Sequence, residues 1–305
     1  MTQTTPDIAA SPTTRKRALE KGVDIEALAR SLGRTTIGPE DIDAATGAAP
    51  ATPAAGAPAP AGDTAYWDVD HSLYGPVTEE PLSRFARVAA RNLAAAQTLI
   101  PAVTHHEMAE VTAIEALRAQ WKPEATARGV KLTALAFHVA ALARTLRAFP
   151  RFNASLSADG ETLILKDYVH IGIAVDTPHG LMVPVIRNAD HMGLWDIAQA
   201  ITDLATRAQA RKIAPDEMGG ASMTITNLGG IGGTAFTPIV NPPELAILGI
   251  TKTQILTAWD NDTPRPIPMA PIDLSYDHRA INGADAAKFC KHYATVIKEP
   301  RGLII

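Results

Sequence analysis

Residues Ala44 to Gly62 are Ala, Pro, Gly and Thr only, without one charged side chain. Such a stretch has little to bury. Its alanines favour helix, but Pro50, Pro53, Pro58 and Pro60 interrupt any helix and bias the backbone towards an extended, polyproline-like course. At about 3.1 Å per residue, the stretch would reach on the order of 50 Å as a semi-rigid tether. The 305-residue chain is therefore expected to fold in two pieces, residues 6–45 and 65–305, joined by a linker over 46–64.

In the small piece, Ser11 and Pro12 read as the N-cap and first-turn proline of a helix over Thr13 to Lys21, stopped by Gly22. Val23, Ile25, Leu28 and Leu32 continue an apolar pattern, and Pro39-Glu40-Asp41-Ile42 opens a second helix with acids in its first turn. Two helices and a loop give only a marginal core. Arg15, Lys16 and Arg17 make the first helix basic, which suits either a solvated surface or docking to an acidic partner.

The large piece interleaves both periodicities. Leu82 to Leu99 and Leu132 to Phe149 read as helices; Leu163 to Leu165, Ile171 to Val175, Met182 to Ile186 and Ser222 to Thr226 read as strands. Long connections between them predict a layered α/β domain with a mixed sheet. With 46% hydrophobic residues and 5% aromatic, its core is aliphatic. A net charge of -4 provides no global basic field for nucleic acid or an anionic membrane. The longest nearly apolar run, Leu132 to Ala143, falls short of the roughly 20 residues that span a bilayer. Cys290, the single cysteine, excludes an intramolecular disulfide and a multi-cysteine metal site, and no charged head followed by an apolar stretch opens the chain. A reducing, cytoplasmic location is expected.

The chemistry concentrates in Ser275 to Asp285, where His278 lies in a polar turn ahead of the amphipathic run Ala286 to Ile297. Alone, such a histidine is more often a surface or packing residue. The segment "DHRAINGADAAKF", however, resembles the histidine signature of dihydrolipoamide acyltransferases and their chloramphenicol acetyltransferase relatives. "TITNLGGIGGTAFTPIVNPPELAILGI", "IGIAVDTPHGLMVPVI" and "IPAVTHHEMAEVT" look like that family's oxyanion and core segment, central strands and first strand. "SPTTRKRALEKGVDIEALA" and "GPEDID" resemble its peripheral subunit-binding domain, with the usual glycine-rich loop shortened to Ser31-Leu32-Gly33-Arg34.

The resemblance implies a chloramphenicol acetyltransferase-like fold for the large piece, a small helical subunit-binding domain before it, and acyl transfer between dihydrolipoamide and coenzyme A, with acetyl favoured by the form "GGTAFTPIVN". Thioester exchange needs a base for the thiol proton and a donor for the oxyanion. The motif positions give His278 as the base and Thr226 as the oxyanion donor; from spacing alone Thr226 is only a threonine at a strand end. Asn282 stands where an aspartate is more usual, a neutral amide that can orient a neighbour. Asp277 and Arg279 read as an ion pair holding the turn. Gly229-Gly230-Ile231-Gly232-Gly233 lacks a P-loop lysine and Rossmann spacing, so it reads as a tight turn. The other histidines lack ligand spacing, and no metal is expected.

No lysine has the D-K-A or D-K-V context of a lipoyl domain. The lipoyl group is thus expected on another polypeptide, with coenzyme A as a substrate and dehydrogenase subunits held by the N-terminal domain. Relatives are trimers whose base faces the donor of the next subunit, so a homotrimer or larger core is expected. The apolar end Leu303-Ile304-Ile305 is expected to be covered by another chain. Two other readings are a non-catalytic core or adaptor that scaffolds a complex, and an acyltransferase acting on a free thioester and a small acceptor.

Overall fold

The computed structural model describes residues 8–46, 69–178 and 180–304. The chain divides between Glu79 and Glu80 into two compact units. The tether expected over 46–64 lies, Thr46 apart, outside the described residues.

Among the described residues, the first unit contains three α-helices, where the sequence predicted two. α1 (Pro12–Glu20) starts as expected, with the Thr14 N–H donating to Ser11 Oγ at 3.1 Å. α2 (Ile25–Leu32) is the addition. The Asp24 carboxylate caps it by accepting from the N–H groups of Glu26 and Ala27, and Gly33, at φ +66°, ends it in the left-handed region that glycine adopts without a Cβ penalty. α3 (Pro39–Ala45) is entered through Gly38, whose N–H donates to Asp41 Oδ2 at 2.8 Å. Ala18, Ala29, Ile37 and Ile42 form the buried centre. The basic helix is largely engaged within the unit. Arg17 and Lys21 both reach Asp43, at 2.7 and 2.6 Å, and Arg15 donates to the carbonyls of Ile8 and Ala10.

The second unit runs α4 (Arg84–Leu99), β1 (Ala102–Glu110), α5 (Thr112–Ala127), α6 (Ala134–Ala148), β2 (Ala154–Leu156), β3 (Leu163–Leu165), β4 (Ile171–Ile173), β5 (Val185–Ile186), α7 (Leu194–Gln209), β6 (Met223–Asn227), β7 (Ala246–Ile250), β8 (Gln254–Asp260), β9 (Thr263–Asp277) and α8 (Gly283–Lys298). β2 and β3 pair with each other. The other strands form the expected mixed sheet in the order β1-β9-β7-β6-β4-β5, with β8 on the outer half of β9. β4, β6 and β7 run parallel; the other neighbours are antiparallel.

Strand alternation gives this sheet two unlike faces. Met223, Ile225, Leu248, Ile272, Leu274 and Tyr276 share one face and belong to the main core with Phe137 and Leu142 of α6 and Phe289 and Tyr293 of α8. The opposite face is polar. It carries Thr224, Thr226, Asp273 and Ser275, with Ser275 and Thr104 hydroxyls 2.7 Å apart and His106 Nδ1 2.5 Å from Asp273 Oδ1. Leu303 also belongs to the main core at 8% exposure, which corrects the expectation that the whole apolar end awaits another chain. Ile304 is exposed, and Ile305 lies outside the described residues. Among the described residues, no helix is long and apolar enough to cross a membrane.

Candidate active site

β9 ends at Asp277, and the chain turns through His278 to Ala280. The turn is pinned on both sides. The Asp277 N–H donates to the Leu245 carbonyl at 2.8 Å, and the His278 N–H to that of Pro101 at 3.2 Å. The buried Asp277 carboxylate takes the Arg279 guanidinium in a forked pair at 3.0 and 2.6 Å and also accepts the Arg279 N–H, as its charge type predicted. The His278 side chain is exposed, its ring 5.8 Å from that of buried Tyr276. Asn282 follows as the N-cap of α8, its Oδ1 accepting the Asp285 N–H at 2.9 Å. That bond gives Asn282 a helix-starting role beside the orienting role read from sequence.

Thr226 lies near the end of β6, partly exposed on the polar face and in register with Gly249 of β7. Gly249 leaves room for the Phe236 ring; a Cβ there would stand 2.6 Å from a ring carbon. After β6 the glycine-rich segment forms the expected turn, with the N–H groups of Ile231 and Gly232 both donating to the Leu228 carbonyl. Gly229 N–H donates to Asn227 Oδ1 at 2.8 Å.

The register shows that one chain does not bring Thr226 and His278 together. Thr226 is level with Gly249, which is level with Asp273. Asp277 is four residues further along β9, about 13 Å, and two strands across, about 10 Å, which leaves roughly 16 Å before His278 is reached. His278 and Asn282 share one turn; Thr226 stands apart from both.

Past the end of β6, on the α6 side of the sheet and so opposite the face that carries Thr226, lies a cavity of about 700 Å³ that sequence reasoning did not find. Gly229, Gly230 and Asn227 border it, together with Arg118 of α5, Lys131 of the loop before α6, and His138 of α6. Arg118 is held by Glu115 at 2.6 Å. Its lining comes from segments far apart in the chain, so no local spacing marks it. Burial pushes the Cys290 thiol up to about 12, leaving it protonated. Among the described residues, no three His, Cys, Asp or Glu side chains gather as a metal site.

The family described as 2-oxoacid dehydrogenases acyltransferase (catalytic domain) matches residues 74–305, and the chain belongs to this family. It is 44% identical over 302 residues to the dihydrolipoyllysine-residue acetyltransferase component of the pyruvate dehydrogenase complex of Azotobacter vinelandii, covering 98% of this chain and 47% of that protein. The same component of Pseudomonas aeruginosa is 42% identical, over 98% of this chain and 55% of the relative. The chain thus spans about half the length of these curated relatives. Among solved structures, Azotobacter vinelandii dihydrolipoamide acetyltransferase matches with a TM-score of 0.76 at 46% identity, covering 78% of this chain and 98% of that one. The cubic core of the pyruvate dehydrogenase multienzyme complex matches with the same figures. The family read from the motifs and the α/β fold with a mixed sheet both hold.

Proposed function

We propose that the chain is a dihydrolipoamide acyltransferase, moving an acetyl group between dihydrolipoamide and coenzyme A within a pyruvate dehydrogenase-type complex. One observation carries this reading. In the Azotobacter vinelandii enzyme a serine, a histidine and an asparagine were investigated for their role in catalysis, and their spacing along that chain equals the spacing of Thr226, His278 and Asn282 here.

In this reaction His278 takes the proton from the coenzyme A thiol as sulfur attacks the thioester carbonyl of acyl-lipoamide. The new carbon–sulfur bond leaves a tetrahedral oxyanion, to which the Thr226 hydroxyl donates. Collapse breaks the old carbon–sulfur bond, and His278 returns the proton to the departing dihydrolipoamide thiolate. Threonine replaces serine with the same hydroxyl and an added methyl group that narrows its rotamers. Asn282 holds the first turn of α8 next to the base.

Because the two half-sites are separated within one chain, the reading requires His278 of one copy to face Thr226 of the next, as in a homotrimer. The cubic core among the matched structures makes a larger assembly the natural extension. Coenzyme A occupies the cavity beside the glycine turn, its phosphates drawn to Arg118 and Lys131. A lipoyl domain delivers the acyl group, and the unit over 6–45 binds dehydrogenase subunits. The test is acetyl transfer from acetyl-coenzyme A to dihydrolipoamide. His278→Ala is expected to abolish turnover, and Thr226→Ala to lower it about a hundred- to a thousandfold with modest change in apparent binding. Wild-type turnover in the His278 variant overturns the mechanism.

A further inference from the structure

α6 carries an anomaly inside its core-facing run. Among Phe137, Val139, Ala141 and Leu142 it buries an imidazole, His138, at 2% exposure. His138 Nδ1 lies 2.7 Å from the hydroxyl of Tyr293 on α8, the two rings nearly parallel at 19°. Nothing in the reaction above uses this pair, yet His138 lines the cavity.

The protonation states follow from burial. Desolvation holds His138 down to about 4, so the ring is neutral at physiological pH, and burial raises the Tyr293 phenol well above its ordinary value, so it keeps its proton. Among the described residues, Nδ1 is the acceptor the structure offers that buried phenol. Leaving the hydroxyl undonated would cost the full desolvation penalty. Tyr293 therefore donates to Nδ1, and the one proton of the neutral imidazole sits on Nε2. The result is an uncharged N–H donor with a fixed tautomer in a cavity wall that mixes apolar residues such as Leu135 and Ile250 with neutral polar ones such as Thr202 and Gln209.

A buried uncharged donor is matched to a neutral carbonyl. Arg118, whose charge reaches this ring, and Lys131 supply the charge that phosphates require, which leaves the neutral Nε2–H to a neutral acceptor. We propose that His138, oriented by Tyr293, donates from Nε2 to an amide carbonyl of the pantetheine arm of coenzyme A, and that this pair sets affinity for the arm. The inference rests on the reading that the cavity takes coenzyme A.

Calorimetry on the assembled protein tests it with three probes: coenzyme A, pantetheine, and adenosine 3′,5′-bisphosphate, which lacks the arm. His138→Phe and Tyr293→Phe are expected to weaken coenzyme A and pantetheine about tenfold and to leave the bisphosphate unchanged; His138→Gln, which keeps a donor near the Nε2 position, is expected to recover much of the loss. Equal losses on all three probes, or none, overturn the proposal. Failure of the wild-type protein to bind coenzyme A overturns the proposed function along with it, whereas wild-type binding with unaffected variants overturns this inference alone. Should the buried variants misfold, nitrogen-15 spectra of the wild-type imidazole still decide: the Nε2–H tautomer is expected, and the Nδ1–H tautomer contradicts the assignment.

Discussion

Glu244 is a carboxyl group that burial makes far less acidic than usual. It is 4% exposed; Oε1 accepts from Thr224 Oγ1 at 2.9 Å and Asn241 Nδ2 at 3.0 Å, while Oε2 is buried without a partner among the described residues. Desolvation raises its pKa from 4.5 to about 7, against smaller opposing effects of those two bonds and of the Lys166 charge. Between those values the folded chain holds a proton that the unfolded chain releases. Stability is therefore fully present below about pH 4.5 and is lost as pH rises to about 7, by about 3 kcal/mol if this group acts alone. Glu244→Gln cannot ionise and should escape the loss. Urea unfolding at pH 5 and pH 8 is expected to show the variant gaining on wild type at the higher pH; a constant difference contradicts this. The motif made His278, Thr226 and Asn282 the candidates for the proposed reaction, since chemistry fixes residue type at fixed spacing. Glu244 and His138 were not legible as special. Their character comes from burial, which depends on partners such as Thr224 and Tyr293 that stand 20 and 155 residues away.

β9 shows how an element can defeat local pattern and still form. Pro264, Pro266 and Pro268 alternate along its exposed half, a run that argues against strand when read locally. The structure pairs that half with β8 alone, and the Pro268 carbonyl accepts from Val111 N–H at 3.0 Å, on the side away from β8. By strand alternation Pro264 and Pro266 share that side. The prolines thus strip donors from the free edge while the β8 ladder keeps its own, an arrangement that blunts edge-to-edge pairing. The double variant Pro264→Thr and Pro266→Thr restores two edge N–H groups and is expected to raise particle mass in light scattering through added strand pairing; unchanged mass contradicts this. α2 was missed for a different reason. Its eight residues are short for a helix by propensity, and tertiary packing with Asp24 and Gly33 at its ends sets it. α6 and β6, with strong periodicity and clear ends, were legible.

At the scale of the whole molecule, the proposed reaction requires more than one copy of the chain. Each chain supplies His278 at the end of β9 and Thr226 at the end of β6, roughly 16 Å or more apart by strand register. Leu303 packs into its own chain's core, so oligomerisation has to rest on surfaces other than that side chain. Complementation measures the central claim most directly. Chains carrying His278→Ala retain Thr226, and chains carrying Thr226→Ala retain His278. Unfolded together in equal amounts and refolded, they form mixed assemblies in which about a quarter of the shared sites receive an intact residue from each neighbour. We predict that acetyl transfer in the mixture rises to about a quarter of wild-type turnover, far above either variant alone. Turnover equal to the mean of the two separate variants would contradict a site built between chains.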